Sequence, residues 1–330
     1  MADYERLLNQ GAHLRIGAEV LAGNYRPAPP AEGWLNKADG RKKRVFRYPP
    51  PDELLFRVVN RLLQPAAMGA ASPWCRSFLP GGGARSAFRA VLADRAAQDR
   101  AVLRLDVRDY FNSIDVADLL GRLPEPFTRG AVGTLLATAL LDPRVERGGS
   151  VVDGGRKGIM AGTPIAPLLA TLYLRELDHE VAPRSAAYAR YSDDILILAP
   201  PDELGDVERL VRRRLAERGL DINEGKSLVA APGQPWDFLG FRYHQATIGL
   251  APITEHKLKA RTTRLARRLL RWRERSGIPA ERVVPAFVRR LNRRVYGVPT
   301  ERAEFSWATW FLPMLSGPAG LQRLDEHVQR

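Results

Sequence analysis

A chain of 330 residues with 45% hydrophobic content can bury a sizeable core, and suits one multi-lobed domain or two domains rather than a single small one. Its formal charge of +14 at pH 7 makes a polyanion the expected partner. The single cysteine, Cys75, excludes an internal disulfide framework and a multi-cysteine zinc site, and fits a reducing compartment.

Met1 to Gln10 carries Asp3, Glu5 and Arg6 with no apolar run behind them, and no stretch approaches the length of a membrane span. The expectation is a soluble, cytoplasmic protein without membrane contact. The charge is not evenly spread: Lys257 to Arg302 holds 15 Lys/Arg against 3 Glu.

In chain order, a helix is predicted from about Ala2 to Leu21, followed by a Pro-rich connector, Arg26-Pro27-Ala28-Pro29-Pro30. Lys37-Ala38-Asp39-Gly40 reads as the turn of a basic hairpin whose second strand is Arg41 to Arg47. The prolines at 49–51 precede Asp52 and the helical spacing Leu54, Leu55, Val58, Val59, Leu62, Leu63, so a helix should run to about Leu63. Gly81-Gly82-Gly83 marks a turn before a helix from about Ser86 to Gln98. It is not a phosphate loop, since the Lys-Ser/Thr ending of that motif is missing.

A strand at 101–106 gives way to Asp115, a good N-cap for a helix carrying Val116, Leu119 and Leu120. Ile165, Leu168, Leu169, Leu172 and Leu177 predict one long buried helix from Pro164 to Val181. A hairpin at about 187–199 bears Asp193 and Asp194 at its tip. A helix at about 204–218 and strands near 226–230 and 237–243 follow, and the remainder reads as helical at roughly 255–275, 280–295 and 304–328. Strands in the middle with helical extensions at both ends indicate an α+β core with a helical lobe.

Three acids stand out. Tyr191-Ser192-Asp193-Asp194 leads into the apolar run Ile195 to Leu198, and Val102 to Leu105 leads into Asp106 in the same way. Adjacent carboxylates at an apolar strand are costly unless a cation sits there. Ser-Asp-Asp is also ordinary turn chemistry, in which short polar side chains bond their own backbone. The order of pieces favours a two-metal nucleotidyl-transfer site: Asp106, the Gly/Pro-punctuated segment 158–167, Asp193-Asp194, then Leu220 to Lys226, then Phe238-Leu239-Gly240.

Leu105-Asp106-Val107-Arg108-Asp109-Tyr110-Phe111-Asn112-Ser113-Ile114, Gly162-Thr163-Pro164-Ile165-Ala166-Pro167-Leu168-Leu169-Ala170, Tyr191 to Asp194 and Phe238-Leu239-Gly240 together resemble the bacterial reverse transcriptases, the group of intron, retron and defence-associated enzymes. The likeness runs from about Tyr25 to the C-terminus. It implies a right-hand polymerase with fingers (1–100), a palm with an antiparallel sheet (101–250) and a helical, basic thumb (251–330).

The resemblance further implies that Asp106, Asp193 and Asp194 bind two Mg²⁺, with Mn²⁺ as a substitute; such paired ions sit about 4 Å apart and clamp the attacking and leaving oxygens. Lys226 falls where the family has a lysine suited to protonating pyrophosphate. Phe111 falls where a ring meets the nucleotide sugar and would collide with a 2′-hydroxyl. Lys37 and Arg44 match basic fingers positions that grip the triphosphate, and Val107, Ala161 and Gly162 fall beside the nucleotide. Phe238, Leu239 and Gly240 match the turn that supports the primer terminus, with Gly240 permitting close backbone approach.

Lys257, Arg261, Arg264, Arg268 and Arg271 recur every three or four residues as a positive stripe suited to a phosphate backbone, a reading that needs no family. The implied partners are an RNA template, a DNA or RNA primer, deoxynucleotides and a dedicated non-coding RNA, in a specialised bacterial system such as phage defence. One departure matters: Met160-Ala161-Gly162 stands where relatives carry Pro-Gln-Gly, so a polar group beside the nascent base pair is missing. Two rival readings stay open. Ala161 motivates an untemplated or protein-primed DNA polymerase of the abortive-infection kind, and a basic groove alone would serve an inactive RNA-binding scaffold.

Overall fold

The computed structural model describes residue 5 and residues 9–36, 40, 42–297 and 306–329. It divides the chain into two compact units, Met1–Asp94 with Ala101–Val229, and Arg95–Arg100 with Ala230–Arg330.

The first unit begins with α1 (Ala12–Leu21), then β1 (Ala31–Asn36) and β2 (Lys42–Arg47), which pair antiparallel from Ala31↔Arg47 to Asn36↔Lys42. Most residues ahead of α1 lie outside the described set, as do Lys37, Ala38, Asp39 and Arg41 of the expected turn. Next come α2 (Pro50–Ala70) and α3 (Ala84–Val91). α2 opens on prolines, which lack the N–H that a first turn leaves unpaired, and buries Phe56, Val59, Leu63 and Ala67 along one stripe. It runs past the expected end at Leu63 and carries Pro65 within it. The helix expected over 86–98 stops at Val91, and only a single 3₁₀ turn, Ala97–Asp99, remains of its second half.

The chain continues through β3 (Ala101–Asp106), α4 (Tyr110–Ser113), α5 (Val116–Arg122), α6 (Glu125–Thr128), α7 (Gly130–Leu141), β4 (Arg144–Arg147) and β5 (Ser150–Asp153). Asp115 caps α5 as its sequence position predicts, its carboxylate accepting the Asp118 N–H at 2.9 Å. The expected single helix over 164–181 is two, α8 (Ala166–Tyr173) and α9 (Arg175–Val181), because Leu174 leaves helical geometry. Then follow β6 (Ala187–Tyr191), β7 (Asp194–Ala199), α10 (Leu204–Ala216) and β8 (Leu228–Ala230).

Two antiparallel-rich sheets result, ordered β2-β1-β4-β5 and β6-β7-β3-β8. One face of the β3–β7 pair is wholly apolar, with Leu103, Leu105, Ile195 and Ile197 each 0% exposed, and Val102, Leu196 and Leu198 are buried on the other. Such runs require cover on both sides, and helices including α3 and α10 pack against this sheet. Each fully buried Leu or Ile contributes roughly 1.5–3 kcal/mol.

One buried ion pair anchors β6. Arg190 donates to Asp178 of α9 through Nε and Nη2, both at 2.7 Å, and to the Thr171 carbonyl at 2.9 Å, while the Tyr188 hydroxyl donates to Asp178 at 2.7 Å. Both ion-pair side chains are fully buried, so each depends on the other for its charge balance.

The second unit holds β9 (Trp236–Phe238), β10 (Phe241–His244) and β11 (Thr247–Leu250), a three-stranded antiparallel sheet, followed by α11 (Pro252–Ser276), α12 (Ala280–Tyr296), α13 (Trp307–Phe311) and α14 (Ala319–Gln329). These strands, expected with the palm, thus fall in the unit of the C-terminal helices. Leu265 and Leu269 of α11 and Val283 of α12 form a small core. Glu255 on α11 is ion-paired to Arg323 on α14. Among the described residues no helix is long and apolar enough to cross a membrane.

Candidate active site

The three acids meet at one end of the β3–β7 ladder. Register pairs Asp106 directly with Asp194, and directly opposed residues on antiparallel strands project from the same face. Asp193 joins them through the backbone, its carbonyl accepting the Val107 N–H at 3.0 Å. The β6–β7 connection is a two-residue turn, Ser192-Asp193, between the Tyr191↔Asp194 pair. Ser192 has φ 60, the positive value a type II′ turn requires at its first central residue. Its hydroxyl is buried without a hydrogen-bond partner.

Electrostatics mark the cluster as crowded with negative charge. Burial, followed by Asp193 and then Asp106, pushes the Asp194 carboxyl up to about 7. Asp193 is raised too, by burial first and with Asp106 also contributing, against the opposing pull of Lys43 and Lys226. Asp106 is 5% exposed, and its carboxylate accepts from Lys226 Nζ at 2.9 and 3.1 Å and from Asn223 Nδ2 at 2.9 Å. The Asn223 N–H also donates to the Asp106 carbonyl at 2.8 Å, so the turn after Leu220 is fastened to the end of β3 by both backbone and side chain.

Among the described residues no three His, Cys, Asp or Glu side chains are gathered into a closed metal-holding group. At Asp106 the Lys226 ammonium supplies positive charge, 2.9 Å from the carboxylate. The donor set nonetheless suits a hard divalent ion: carboxylate oxygens only, two of them on groups whose raised affinity for protons is relieved by added positive charge.

Other expected residues fall as follows. Phe111 is partly buried, with the Lys43 ammonium 5.2 Å above its ring. Arg44 faces elsewhere: it is ion-paired to Glu32 at 3.1 Å and donates to the Arg156 and Gly154 carbonyls, each at 2.8 Å. Neighbours on a strand point to opposite faces, so Lys43 and not Arg44 is the cation of β2 that acts on Asp193. Lys37 lies outside the described residues. Val107 and Ala161 are buried, 1% and 2% exposed. The Ala161 carbonyl accepts the Phe46 N–H at 2.8 Å, docking β2 on this loop, and at Gly162, with φ +103, a Cβ would come within 3.0 Å of the Phe46 carbonyl.

Sequence reasoning missed two asparagines and a lysine. Asn112 donates to the Arg44 carbonyl at 3.1 Å and to Asp109, and accepts the Ala161 N–H at 3.4 Å, joining three segments at the loop that carries Ala161 and Gly162. Asn223 and Lys43 were in view as letters, but only the fold gives them their partners. The signal for Asn112 was its place in the run that begins at Asp106.

In the second unit, Phe238, Leu239 and Gly240 form a tight hairpin in which Leu239 and Gly240 both have positive φ, 50 and 92. Gly240 is required there: its carbonyl accepts from Ala251 N–H and Thr254 Oγ1, and a Cβ would meet Thr254 Oγ1 at 3.0 Å. Lys257, Arg261, Arg264, Arg268 and Arg271 are all exposed along α11. Four of them, with Arg267, line a hollow of about 620 Å³ completed by Arg294 of α12 and floored by Leu265. None of these cations has an ion-pair partner among the described residues.

A solved structure of apo telomerase from Candida tropicalis matches 68% of this chain and 48% of its own at a TM-score of 0.50 and 10% identity. A telomerase from Candida albicans, solved with a TWJ fragment of telomeric RNA, matches 73% of this chain and 50% of its own at a TM-score of 0.49 and 11% identity. The fold is accordingly α+β, of the right-hand polymerase class.

The retron Mx65 reverse transcriptase of Myxococcus xanthus is 28% identical over 203 residues, which are 57% of this chain and 45% of that protein. The chain therefore spans less than half the length of this curated relative. Residues 41–243 match the reverse transcriptase (RNA-dependent DNA polymerase) family. That span contains β2, the paired ends of β3 and β7 and the turn that ties Asn223 to Asp106, and with them the chain belongs to the reverse transcriptase family.

Proposed function

We propose that the protein is an RNA-directed DNA polymerase that extends a primer with deoxynucleotides. The observation that carries this reading is the direct opposition of Asp106 and Asp194, with Asp193 held beside them through its carbonyl. Asp106, Asp193 and Asp194 would hold two divalent cations, Mg²⁺ or Mn²⁺, whose Lewis acidity would activate the primer 3′-hydroxyl and neutralise the departing pyrophosphate.

The chain's own groups supply the rest. Lys43 lies beside Asp193 and above Phe111, where its ammonium serves a triphosphate better than Arg44, whose guanidinium is held by Glu32. Lys226, ion-paired to Asp106, would release it and pass a proton to the leaving pyrophosphate. Phe111 stands as the ring that a 2′-hydroxyl would strike, favouring deoxynucleotides. The turn Phe238-Leu239-Gly240 supports the primer end, and the arginines of α11 follow the duplex backbone. Fingers, palm and thumb divide as 1–100, 101–250 and 251–330 in this reading.

The relative's retron origin supports a dedicated non-coding RNA as template partner, and a specialised bacterial setting such as phage defence. A second reading, synthesis without a template, is favoured by one feature: the side chain at the nucleotide-side loop is the methyl of Ala161. Primer extension on defined RNA templates separates the two. Product complementary to the template, absent for Asp193→Asn, supports copying; product indifferent to template sequence supports the second reading, and no product with any template and either cation refutes both.

A further inference from the structure

Phe78 is a non-glycine residue with φ 57. A bulky side chain in the left-handed region costs about 1–2 kcal/mol and persists only where the surroundings over-determine it. They do so here. The Arg76 N–H donates to the Arg190 carbonyl of β6 at 2.9 Å, and the Ser77 carbonyl accepts from Thr171 Oγ1 of α8 at 3.3 Å. Held by the two residues before it, the segment turns the Phe78 side chain outward, and the residue stays 40% exposed.

Burial therefore does not account for the strain. What the unusual φ achieves is a position between two rings of the candidate site. Phe78 meets Phe111 edge to face, centroids 6.3 Å apart at 76°, and Tyr191 at 5.8 Å and 47°. Phe111 also has Tyr110 beside it at 5.8 Å and 78°, with Lys43 above its ring. Remove Phe78 and Phe111 keeps the contact with its chain neighbour but loses the one that ties it to the hairpin bearing Asp193 and Asp194.

We infer that Phe78 is a positioning residue for sugar discrimination: it holds the Phe111 ring in the place where a 2′-hydroxyl would collide. A ring that excludes one oxygen atom must not swing, and an edge-to-face neighbour fixes its plane. This inference rests on the sugar-facing reading of Phe111 given above.

The test compares kcat/KM for a deoxynucleotide and its ribonucleotide in wild type, Phe78→Ala, Phe78→Gly, Phe78→Tyr and Phe111→Ala. The ratio should fall about threefold to tenfold in Phe78→Ala, the range expected from losing one aromatic pair. Phe78→Tyr keeps the ring and should keep the ratio. Phe78→Gly removes the ring while relaxing the backbone, so it reports the same loss even if the alanine variant folds poorly. An unchanged ratio in both ring-less variants, with Phe111→Ala collapsing it, overturns the positioning role and leaves Phe111 as the discriminator. An unchanged ratio in Phe111→Ala itself overturns the sugar-facing reading, and this inference with it.

Discussion

Replacing Asp194 by asparagine should stabilise the cation-free protein, and the size of the effect can be worked from the site. Its carboxyl is lifted from the ordinary 3.8 to about 7 by burial, then by Asp193, then by Asp106, with Arg104 and Lys226 opposing. Three units at about 1.36 kcal/mol each give about 4 kcal/mol, and solvent screening of a side chain that is not fully buried brings this nearer 2 kcal/mol. A folded-state pKa above the unfolded value means stability that is complete below pH 4 and is lost as pH rises through about 7. Asp193 is shifted in the same direction and adds to the slope.

Melting curves in chelator from pH 5 to 8 should therefore fall with pH for the wild type and fall less for Asp194→Asn. The gap should shrink steadily toward pH 5 and would close only below about pH 4. At pH 8 the variant should melt about 4–8 °C higher, taking 2–4 °C per kcal/mol for a unit of this size. Saturating Mg²⁺ should narrow or reverse the gap, since only the carboxylate gains from added positive charge. If the variant shows the wild-type pH slope, or melts lower at pH 8 in chelator, the three acids do not repel one another and the cation site is wrongly drawn.

Asp106→Asn should cut primer extension by at least about 10²-fold while leaving nucleic-acid binding in place, as measured by single-turnover incorporation beside a filter-binding assay. Arg268→Glu should weaken binding to any duplex sequence and flatten the plot of log K against log salt by about one unit, one phosphate contact's share; an unchanged slope would place the hollow on α11 away from the backbone. Arg190→Met should destabilise by about 3–5 kcal/mol because Asp178 is left buried and charged, and adding Asp178→Leu should recover much of the loss in urea unfolding.

The acids were legible because two apolar strands ending in carboxylates are rare in a folded core without a reason, and their sequence order is shared by few folds. The stripe on α11 was legible from charge spacing alone. What surrounded the acids was less so. Asn223 and Asp106 are 117 residues apart, and no local pattern announces that a side-chain amide and a backbone N–H will both land on one aspartate. Arg44 and Lys43 are equally basic in sequence; strand alternation gave Glu32 to one and the Asp193 side to the other. The break at Leu174 was invisible for another reason. Residues 166 to 174, Pro167 excepted, are all buried, so their hydrophobic pattern has no phase from which a helix end could be read.

The geometry of the acids is set by the core rather than by the acids themselves. Asp106 opposes Asp194 only because Leu103 and Leu105 oppose Ile197 and Ile195, and a slip of one residue would send every one of these side chains to the wrong face. Polar groups could not fix that register, since ionised carboxylates repel one another and would favour the slipped pairing. Burial of the four apolar residues, with the Arg190–Asp178 pair fastening the neighbouring strand, outweighs that repulsion and holds the three acids together. The affinity of the site for positive charge is thus stored in hydrophobic packing, and the Lys226 ammonium answers it at Asp106.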